Sequence, residues 1–305
     1  MDDAKKPVIA VFTKNRSNPA YAAARLGADR SALRLDARTV HYVPQKPDDV
    51  DEQIALIDAA LGGRPDAFVM VPVHPTAVND AIRRITAAGV PIIGFINRFT
   101  ENLTLSYVGS EDYPLAVRIA TYLGEHLHGR GDVVIVEGPR ESVTSIERVS
   151  GFRDALVKFP HLRVVATICG NYQRDETLLA GEEFLESAPH FDAILAANDV
   201  MALGMLEVLD AAGRASVVAG VNAVPDAITA IKEGRLLATV DFDAMKMGCV
   251  ATEAAIRHLR GEVVPREIIL PVQIVDATNC AQWDKPFAER ACPRWEDVVA
   301  KNPGA

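Results

Sequence analysis

The segment DAILAAN, at residues 192–198, is a short apolar run that ends in an asparagine, and the segment DVMALGMLEVLDAAG follows it at once. The first segment has the length of a buried strand, and the second has the periodicity of an amphipathic helix. An asparagine at the boundary is typical of a helix N-cap. A buried strand that leads directly into a helix is half of a βαβ unit, so this stretch predicts an α/β protein with parallel-rich sheets.

The same arrangement occurs earlier in the chain. DAFVMVP, at residues 66–72, is similar to residues 192–198 and is also followed by a helix-like segment. The next strand-like segments, GVPIIGFIN and SVVAGVN, end at Asn97 and at Asn222, so the two pairs of segments are separated by nearly equal lengths of chain. This weak internal repeat predicts two similar lobes, each with a parallel-rich sheet flanked by helices.

Outward from these segments, apolar runs of strand length alternate with helix-like segments along the chain. This alternation predicts parallel sheets that are covered on both faces. The predicted strands cover residues 8–12, 39–43, 67–71, 91–96, 133–137, 163–168, 193–196, 217–221, 238–241 and 268–275.

Length and charge restrict the class of function. A chain of 305 residues is long enough for two domains. It carries 32 Lys and Arg against 41 Asp and Glu, for a net charge of -9, which disfavours nucleic acid and anionic membranes as partners. Its apolar runs are too short to cross a bilayer. Residues 1–7, MDDAKKP, have no apolar core of a signal peptide, which leaves either a cytosolic protein or a mature secreted protein whose leader has been removed.

The four cysteines separate into two pairs by their surroundings. Cys169 and Cys249 lie singly among apolar residues, which predicts buried small side chains. Cys280 and Cys292 lie in a polar tail, TNCAQWDKPFAERACPRW, where a disulfide between them would close a short loop. Sequence does not determine connectivity, so this bond is a hypothesis.

Polar and aromatic residues stand where predicted strands end or helices begin. In open α/β sheets, ligands bind outside the carboxyl ends of the strands. Amides, guanidinium groups and aromatic faces together suit a polyhydroxylated small molecule. Each residue also has a simpler interpretation, such as a helix cap for Asn18 and Asn198 or a turn for Asn222. The candidates are Asn18, Tyr21, Asn97, Arg98, Arg148, Tyr172, Asn198, Asn222 and Phe242.

The sequence carries none of the motifs that mark common enzymes of doubly wound folds. It has no dinucleotide-binding GxGxxG after a strand, no phosphate-binding GxxxxGK[ST] and no GxSxG nucleophile elbow. Its seven histidines show no metal-ligand spacing. We therefore expect a binding protein with no catalytic residues, no metal and no cofactor.

Several segments in combination resemble the periplasmic sugar-binding proteins of ABC importers, of the ribose-binding type, within the type I periplasmic binding protein superfamily. They are VFTKNRSNPAY (11–21), VGSED (108–112), SIERVSGFRDAL (145–156), AANDVMALGMLEVLDAAG (196–213) and PDAITAIKEGRLLATV (225–240). The resemblance covers about residues 8–275. It implies capture of a sugar or sugar-like ligand in a cleft and its delivery to the membrane permease of an importer.

The resemblance also implies the architecture. Residues 7–109 and 242–274 are expected to form the N-terminal lobe, and residues 110–241 and 275–305 the C-terminal lobe with the tail. Three crossings, near Val108, Asp241 and Val275, would form a hinge that closes on ligand. It further implies a monomer in the periplasm and assigns ligand contacts to the nine candidates above. Two alternatives are a sensor for a chemoreceptor or sensor kinase, and the effector domain of a lactose-repressor-type regulator, which would need a DNA-binding segment before the first strand.

This chain departs from the ribose-type pattern at three positions. Asn97 and Asn222 replace the usual aspartates, and Phe242 replaces a glutamine. We expect Arg98 and Arg148 to lack carboxylate neighbours unless Asp241 or Asp243 serves, which would be costly without a ligand. The hypothesis is therefore that the ligand is not plain ribose but a polyol, a deoxy or branched sugar, or a sugar acid. An acid is favoured if Lys14 or Arg16 also points inward.

Overall fold

The protein consists of two compact units, each made of separate stretches of chain. The structure, a computed structural model, describes residues 6–188 and 190–300. The first unit runs up to Ser110 and also contains Asp243–Leu270 and the chain from Phe287 onward. The second unit contains Glu111–Phe242 and Pro271–Pro286.

Strands and helices alternate along both units. Up to Ser110 the elements are β1 (Val8–Phe12), α1 (Pro19–Arg34), β2 (Arg38–Tyr42), α2 (Val50–Gly62), β3 (Ala67–Met70), α3 (Asn79–Ala87), β4 (Ile92–Phe95) and β5 (Ser106–Gly109). The next stretch has α4 (Asp112–His126), β6 (Arg130–Glu137), α5 (Val143–Leu156), β7 (His161–Cys169), α6 (Arg174–Ser187), β8 (Ala193–Ala196), α7 (Asp199–Ala211), β9 (Val217–Ala219), α8 (Pro225–Lys232) and β10 (Ala238–Asp241). The remaining elements are α9 (Ala244–Leu259), β11 (Glu267–Ile269), β12 (Gln273–Asp276) and α10 (Trp295–Val299). Within the described ranges, no helix combines the length and apolar character needed to cross a bilayer.

Each unit is built on its own sheet. The first sheet has the strand order β11-β5-β4-β3-β1-β2, and all its pairs are parallel. The second has the order β12-β10-β9-β8-β6-β7, and its pairs are parallel except that β12 runs antiparallel to β10. The central strands are fully buried, as expected for sheets covered on both faces by helices. The α/β class and the two similar sheets are confirmed.

The last predicted strand, residues 268–275, is two strands in different sheets. β11 pairs with β5 in the first sheet, and β12 pairs with β10 in the second. Pro271 lies between them, and proline has no N–H to continue a ladder. Because residues 268–275 are mostly apolar, they were predicted as one continuous strand. β5, a strand of only four residues, is not among the predicted strands.

The chain passes between the units four times, after Ser110, Phe242, Leu270 and Pro286. Three crossings were expected, and the whole of residues 275–305 was assigned to the second lobe. The structure assigns the tail differently, because the chain from Phe287 onward belongs to the first unit. The tail is therefore a further connection between the units rather than an extension of one of them.

Helices α1 and α9 of the first unit pack closely at two glycines. A Cβ atom at Gly248 would lie closer than 3.0 Å to the backbone carbonyl of Ala24, and one at Gly27 would do the same to the carbonyl of Met245. Real Cβ atoms do not approach backbone atoms so closely. The absence of a side chain at these two positions therefore sets the distance between the helices.

The tail is linked covalently to this helix pair. Cys249 on α9 is bonded to Cys292, with 5.7 Å between their Cα atoms. The predicted bond between Cys280 and Cys292 is wrong, because Cys280 lies in the part of the tail that belongs to the second unit, where it is buried as a free thiol. Cys249 is buried as predicted but is not a free thiol, and Cys169 is only partly buried.

Polar and aromatic contacts hold the same part of the tail. The Arg30 guanidinium on α1 donates to the backbone carbonyls of Ala288 and Arg290. The Arg257 guanidinium on α9 lies 5.0 Å from the centre of the Trp295 ring, a cation–π contact. The tail is thus attached to both helices of the pair, and the disulfide adds a covalent link.

Replacing both disulfide cysteines, Cys249 and Cys292, with serine is expected to lower the free energy of unfolding by about 2–4 kcal/mol, because the bond restrains the unfolded chain. Urea unfolding of the oxidised proteins measures the difference. Cys169→Ser is the matched control, since Cys169 is a free thiol and its replacement breaks no cross-link. Equal stability of the double variant and the parent would contradict the expectation.

Candidate functional site

In the first unit, candidate residues follow β1. Asn18 is the N-cap of α1, where its side-chain oxygen accepts a hydrogen bond from the Ala20 N–H at 2.9 Å, and Pro19 occupies the first helical position. Tyr21 lies in the first turn of the helix and is partly buried. The capping interpretation of Asn18 is therefore correct, and ligand contacts for Asn18 and Tyr21 remain predictions.

Two cationic residues of the same loop differ in their surroundings. The Lys14 side chain is buried, and its ammonium group lies 3.6 Å from the Asp48 carboxylate. Arg16 is exposed. The buried cation of this loop thus has a carboxylate neighbour within its own unit.

The other candidates of the first unit follow β4. Ile96, with φ of 63°, turns the chain, and Asn97 and Arg98 come next. The Arg98 guanidinium pairs with the Glu267 carboxylate at 2.6 Å and lies 4.3 Å from the centre of the Tyr107 ring. Arg98 also borders a polar cavity of about 240 Å³. The expectation that Arg98 lacks a carboxylate neighbour is wrong, because β11 brings Glu267 beside it.

In the second unit, Arg148 is the centre of the candidate site. It lies on α5 and is 5% exposed. Its Nε donates to Asp112 Oδ1 at 2.8 Å, and its Nη1 donates to the Ala197 carbonyl at 2.6 Å. The guanidinium lies 5.7 Å from the centre of the Phe242 ring. The structure therefore brings Arg148 and Phe242 together, but the expectation that Arg148 lacks a carboxylate neighbour is wrong.

Asn198 and Tyr172 lie close to this group. The Asn198 side chain is 1% exposed, and its oxygen caps α7 by accepting from the Met201 N–H at 2.8 Å. Its Nδ2 lies 3.5 Å from the Tyr172 carbonyl. The Tyr172 ring lies so close to Gly138 that a Cβ there would overlap it. Asn198 therefore contacts the Tyr172 backbone directly, and the preceding residue, Ala197, contacts Arg148.

Asn222 lies in a turn after β9, and its backbone has a positive φ that few residues other than glycine adopt. Its φ is 124°, and its backbone N–H donates to the Val240 carbonyl at 2.8 Å. Its side-chain oxygen is buried and accepts no hydrogen bond from any residue that the structure describes. A buried amide oxygen without a donor is costly, which points to a donor from outside the chain.

Asp241 and Asp243, the two additional acidic candidates, each have partners within their own unit. Asp241 ends β10 and accepts a hydrogen bond from the Trp283 indole N–H at 2.6 Å. Asp243, with φ of 55°, caps α9 through the Lys246 N–H and pairs with the Lys246 side chain. Glu267 and Asp112, which are not among the predicted candidates, are thus carboxylates that pair with Arg98 and Arg148.

Asp199, beneath the Asn222 turn, is a buried acid that the sequence analysis did not single out. Its carboxylate accepts from Thr239 Oγ1 at 2.7 Å and from the Val224 N–H at 3.0 Å. Burial raises the pKa of Asp199 to about 6, although both hydrogen bonds and the positive charge of Arg148 act in the opposite direction. A raised pKa means that the folded state favours the protonated acid over part of the mildly acidic range.

Replacement of Asp199 with asparagine is expected to alter how stability depends on pH. The folded pKa is raised from 3.8, so the stabilising contribution of the protonated acid is present below about pH 4 and is lost as pH rises through about 6. The loss is about 3 kcal/mol at most. In urea unfolding between pH 4 and pH 6.5, Asp199→Asn should remove this decline. The exposed Asp226→Asn is the control, and parallel curves for Asp199→Asn and the parent would contradict the expectation.

Four functional candidates were missed because their partners are distant in sequence. Asp112 lies in the VGSED segment and Asp199 in the NDVMALG segment, so both lay within motifs already noted. Glu267 and Trp283 lie outside those motifs, so nothing in the sequence marked them as candidates. Glu267 meets Arg98 across 169 positions, and Trp283 meets Asp241 across 42.

The groups at the carboxyl end of the second sheet suit binding of a polar, uncharged molecule. They comprise amide oxygens and nitrogens, a guanidinium that is already paired, a carboxylate and an aromatic ring. Such groups donate and accept hydrogen bonds and cover apolar C–H surfaces. Across residues 6–188 and 190–300, no cluster of three or more His, Cys, Asp or Glu is arranged to hold a metal ion.

Comparison with known proteins gives a consistent result. Residues 9–262 match the model of the periplasmic binding protein domain. The ribose import binding protein of Bacillus subtilis is 26% identical over 270 residues, which cover 88% of this chain and 87% of that protein. The resemblance noted in the sequence therefore extends over most of both chains.

Solved structures of similar proteins contain bound ligands. An ABC transporter solute-binding protein from Bacillus halodurans with bound myo-inositol has a TM-score of 0.86 and 27% identity, covering 93% of this chain and 99% of that one. A periplasmic solute-binding protein from Actinobacillus succinogenes with bound D-allose has a TM-score of 0.86 and 26% identity, covering 91% of this chain and 100% of that one. Because the family model covers well over half of the sequence, the chain belongs to the periplasmic binding protein domain family.

Proposed function

We propose that this protein binds a neutral sugar or polyol and delivers it to an ABC importer. The observation that carries the proposal is the buried side-chain oxygen of Asn222, which accepts no hydrogen bond within the described part of the chain. It follows β9 at the carboxyl end of the second sheet, and its backbone N–H bonds to Val240, two residues before the Phe242 that lies against Arg148. A ligand hydroxyl is a donor of suitable size and polarity for this oxygen.

The charges around the arginines favour a neutral ligand. A sugar acid would gain most from arginines that lack carboxylate neighbours, yet Arg148 pairs with Asp112 and Arg98 with Glu267. Lys14 lies near Asp48. Since these cations are compensated within the protein, a ligand carboxylate has less to gain by binding near them. This chain still departs from the ribose-type pattern at Asn97, Asn222 and Phe242. We therefore still predict that D-ribose is not its tightest ligand.

The similar proteins support the physiological role. They are named for ribose import or contain bound myo-inositol and D-allose, which are all uncharged polyhydroxylated molecules. We therefore propose that this chain binds a ligand of the same class. We further propose that it is periplasmic, that it binds rather than catalyses, and that it acts as a monomer. Its partner would be the membrane permease of an importer. The Cys249–Cys292 bond is compatible with an oxidising compartment such as the periplasm.

Matched pairs of ligands test the neutral class. Xylitol with xylonate, and D-ribose with D-ribonate, differ mainly in one carboxylate, and myo-inositol and D-allose extend the neutral set. Calorimetric titration of the purified protein should detect a neutral ligand and much weaker binding of its acid counterpart. Binding of the acids in preference to the neutral members, or of no neutral member, would contradict the proposal.

Asn222→Gly tests the residue that carries the proposal. Glycine adopts a φ of 124° without strain, so the turn should remain while the amide is lost. We expect affinity for the neutral ligand to fall at least tenfold, by about 1–3 kcal/mol for a lost hydrogen bond to a buried group. The unfolding free energy should change by less than about 1 kcal/mol.

The control for this variant is Asn222→Asp, which keeps an acceptor oxygen at the same place and should retain more binding than the glycine variant. Calorimetry measures affinity, and urea unfolding measures stability. If Asn222→Gly binds as tightly as the parent, Asn222 serves only to shape the turn.

A further inference from the structure

A segment of the tail lies against the end of β10 in the second unit. Asn279 closes a turn after β12, because its side-chain nitrogen donates to the Ile274 carbonyl at 2.9 Å and its oxygen accepts from the Asp276 N–H at 3.0 Å. A short 3₁₀ turn at Cys280–Gln282 follows, with Cys280 buried. This local structure determines where Trp283 leaves the turn.

Trp283 and the residue that follows it each make a polar contact within the second unit. Its indole N–H donates to Asp241 Oδ2 at 2.6 Å. The next residue, Asp284, pairs with the Lys232 ammonium group of α8 at 2.6 Å. An indole N–H can only donate and a carboxylate can only accept, so the direction of this bond is fixed, and a hydrogen bond to a charged group is stronger than one between neutral groups.

The acceptor of this bond lies among the candidate ligand contacts. Asp241 is 7% exposed and ends β10. The preceding residue, Val240, accepts the backbone hydrogen bond of Asn222, and the following residue, Phe242, lies against Arg148. A shift of the Asp241 carboxylate would therefore move the backbone that supports two other candidates.

We propose that Trp283 is a positioning residue for ligand binding, because its indole N–H holds the Asp241 carboxylate at the end of β10. This inference rests on the proposed sugar- or polyol-binding function and adds the tail to its machinery. A carboxylate can accept about four hydrogen bonds, so Asp241 can accept both the indole N–H and a ligand hydroxyl. The tail thus contributes to affinity through Asp241 rather than by direct contact.

The position of this bond along the chain supports the assignment. Asp241 lies just before the crossing after Phe242, and Trp283 lies just before the crossing after Pro286. The hydrogen bond therefore joins the two segments by which the chain leaves the second unit. If Trp283 contributed only packing, its indole N–H would not need a carboxylate acceptor at the end of β10.

Single-tryptophan variants test the proposal, because the chain has two tryptophans, Trp283 and Trp295. Trp283→Phe keeps an aromatic ring but removes the N–H donor. Trp295→Phe is the matched control, since Trp295 stacks on Arg257 in the first unit. Each variant is titrated with xylitol, D-ribose, D-allose and myo-inositol, with calorimetry for affinity and tryptophan emission as a second signal.

We expect Trp283→Phe to weaken affinity for the neutral ligand about tenfold and Trp295→Phe to leave it unchanged. In Trp295→Phe, where Trp283 is the sole indole, ligand should change the emission. An Asp241→Ala background completes a double-mutant cycle, in which Trp283→Phe should cause little further loss if it acts through Asp241.

Equal affinity of Trp283→Phe and the parent would overturn the assignment. So would an equal loss with and without Asp241, because that result indicates packing alone. Urea unfolding of each variant separates loss of binding from loss of folding, and Trp283→Phe decides the question if the Asp241 variant does not fold. If the parent and Trp295→Phe bind no neutral ligand, the proposed function fails and this inference fails with it.

Discussion

Gly248→Ala is expected to lower the free energy of unfolding by about 3 kcal/mol or more, which is at the upper end of the range for overpacked cores. The added methyl group would lie closer than 3.0 Å to the Ala24 carbonyl, which belongs to the rigid backbone of α1 and has no rotamer to change. The two helices must therefore separate, and Gly27, which packs against the Met245 carbonyl, would lose its close contact as well.

Gly62→Ala is the control for this variant. Gly62 also lies in a helix, at the end of α2, but no atom lies within 4 Å of the position that its Cβ would take. Alanine should leave stability unchanged or raise it by up to about 1 kcal/mol, since it favours the helix more than glycine does. Chemical unfolding measures both variants. A loss at Gly248 no larger than the change at Gly62 would mean that the helices adjust without cost.

Arg148→Ala is expected to reduce both stability and ligand binding. Its removal leaves the largely buried Asp112 carboxylate and the Ala197 carbonyl without their donor. Breaking a buried ion pair costs about 3–5 kcal/mol, and we expect a loss of about 3 kcal/mol in unfolding free energy. Because Asn198 follows Ala197 directly, we also expect affinity for the neutral ligand to fall about 30-fold or more.

Two comparisons separate these effects. Arg153→Ala, on the same helix, removes an exposed arginine and should change stability by less than about 1 kcal/mol, with affinity unchanged. The double variant Arg148→Ala with Asp112→Ala removes the unpaired carboxylate, so it should recover stability relative to Arg148→Ala but not affinity. Recovery of affinity in the double variant would show that Arg148 contributes only to folding.

Much of the fold could be predicted because the signals are local. A strand such as β8 and the helix α7 that follows it are specified by neighbouring residues, and their similarity to β3 and α3 predicted two similar sheets. The strand-end asparagines were visible for the same reason, since each directly follows an apolar run.

The rest depended on pairs that only the folded chain brings together. The partners of the two arginines are examples, because Asp112 meets Arg148 across 36 positions and Glu267 meets Arg98 across 169. The disulfide is another, since Cys249 looked like an ordinary core residue and connectivity is not a property of local sequence. The tail has no regular periodicity, so nothing in it indicated that its two halves belong to different units.

The discontinuous first unit has a consequence for folding during synthesis. Helix α1 leaves the ribosome long before α9, its packing partner, because more than half of the chain separates them. Until α9 appears, the small-residue face of α1 that includes Ala24 and Gly27 has no partner, and the Cys249–Cys292 bond must wait longer still. Contacts between such distant segments form slowly, so the nascent first unit stays incomplete through most of translation and leaves apolar surface open to aggregation.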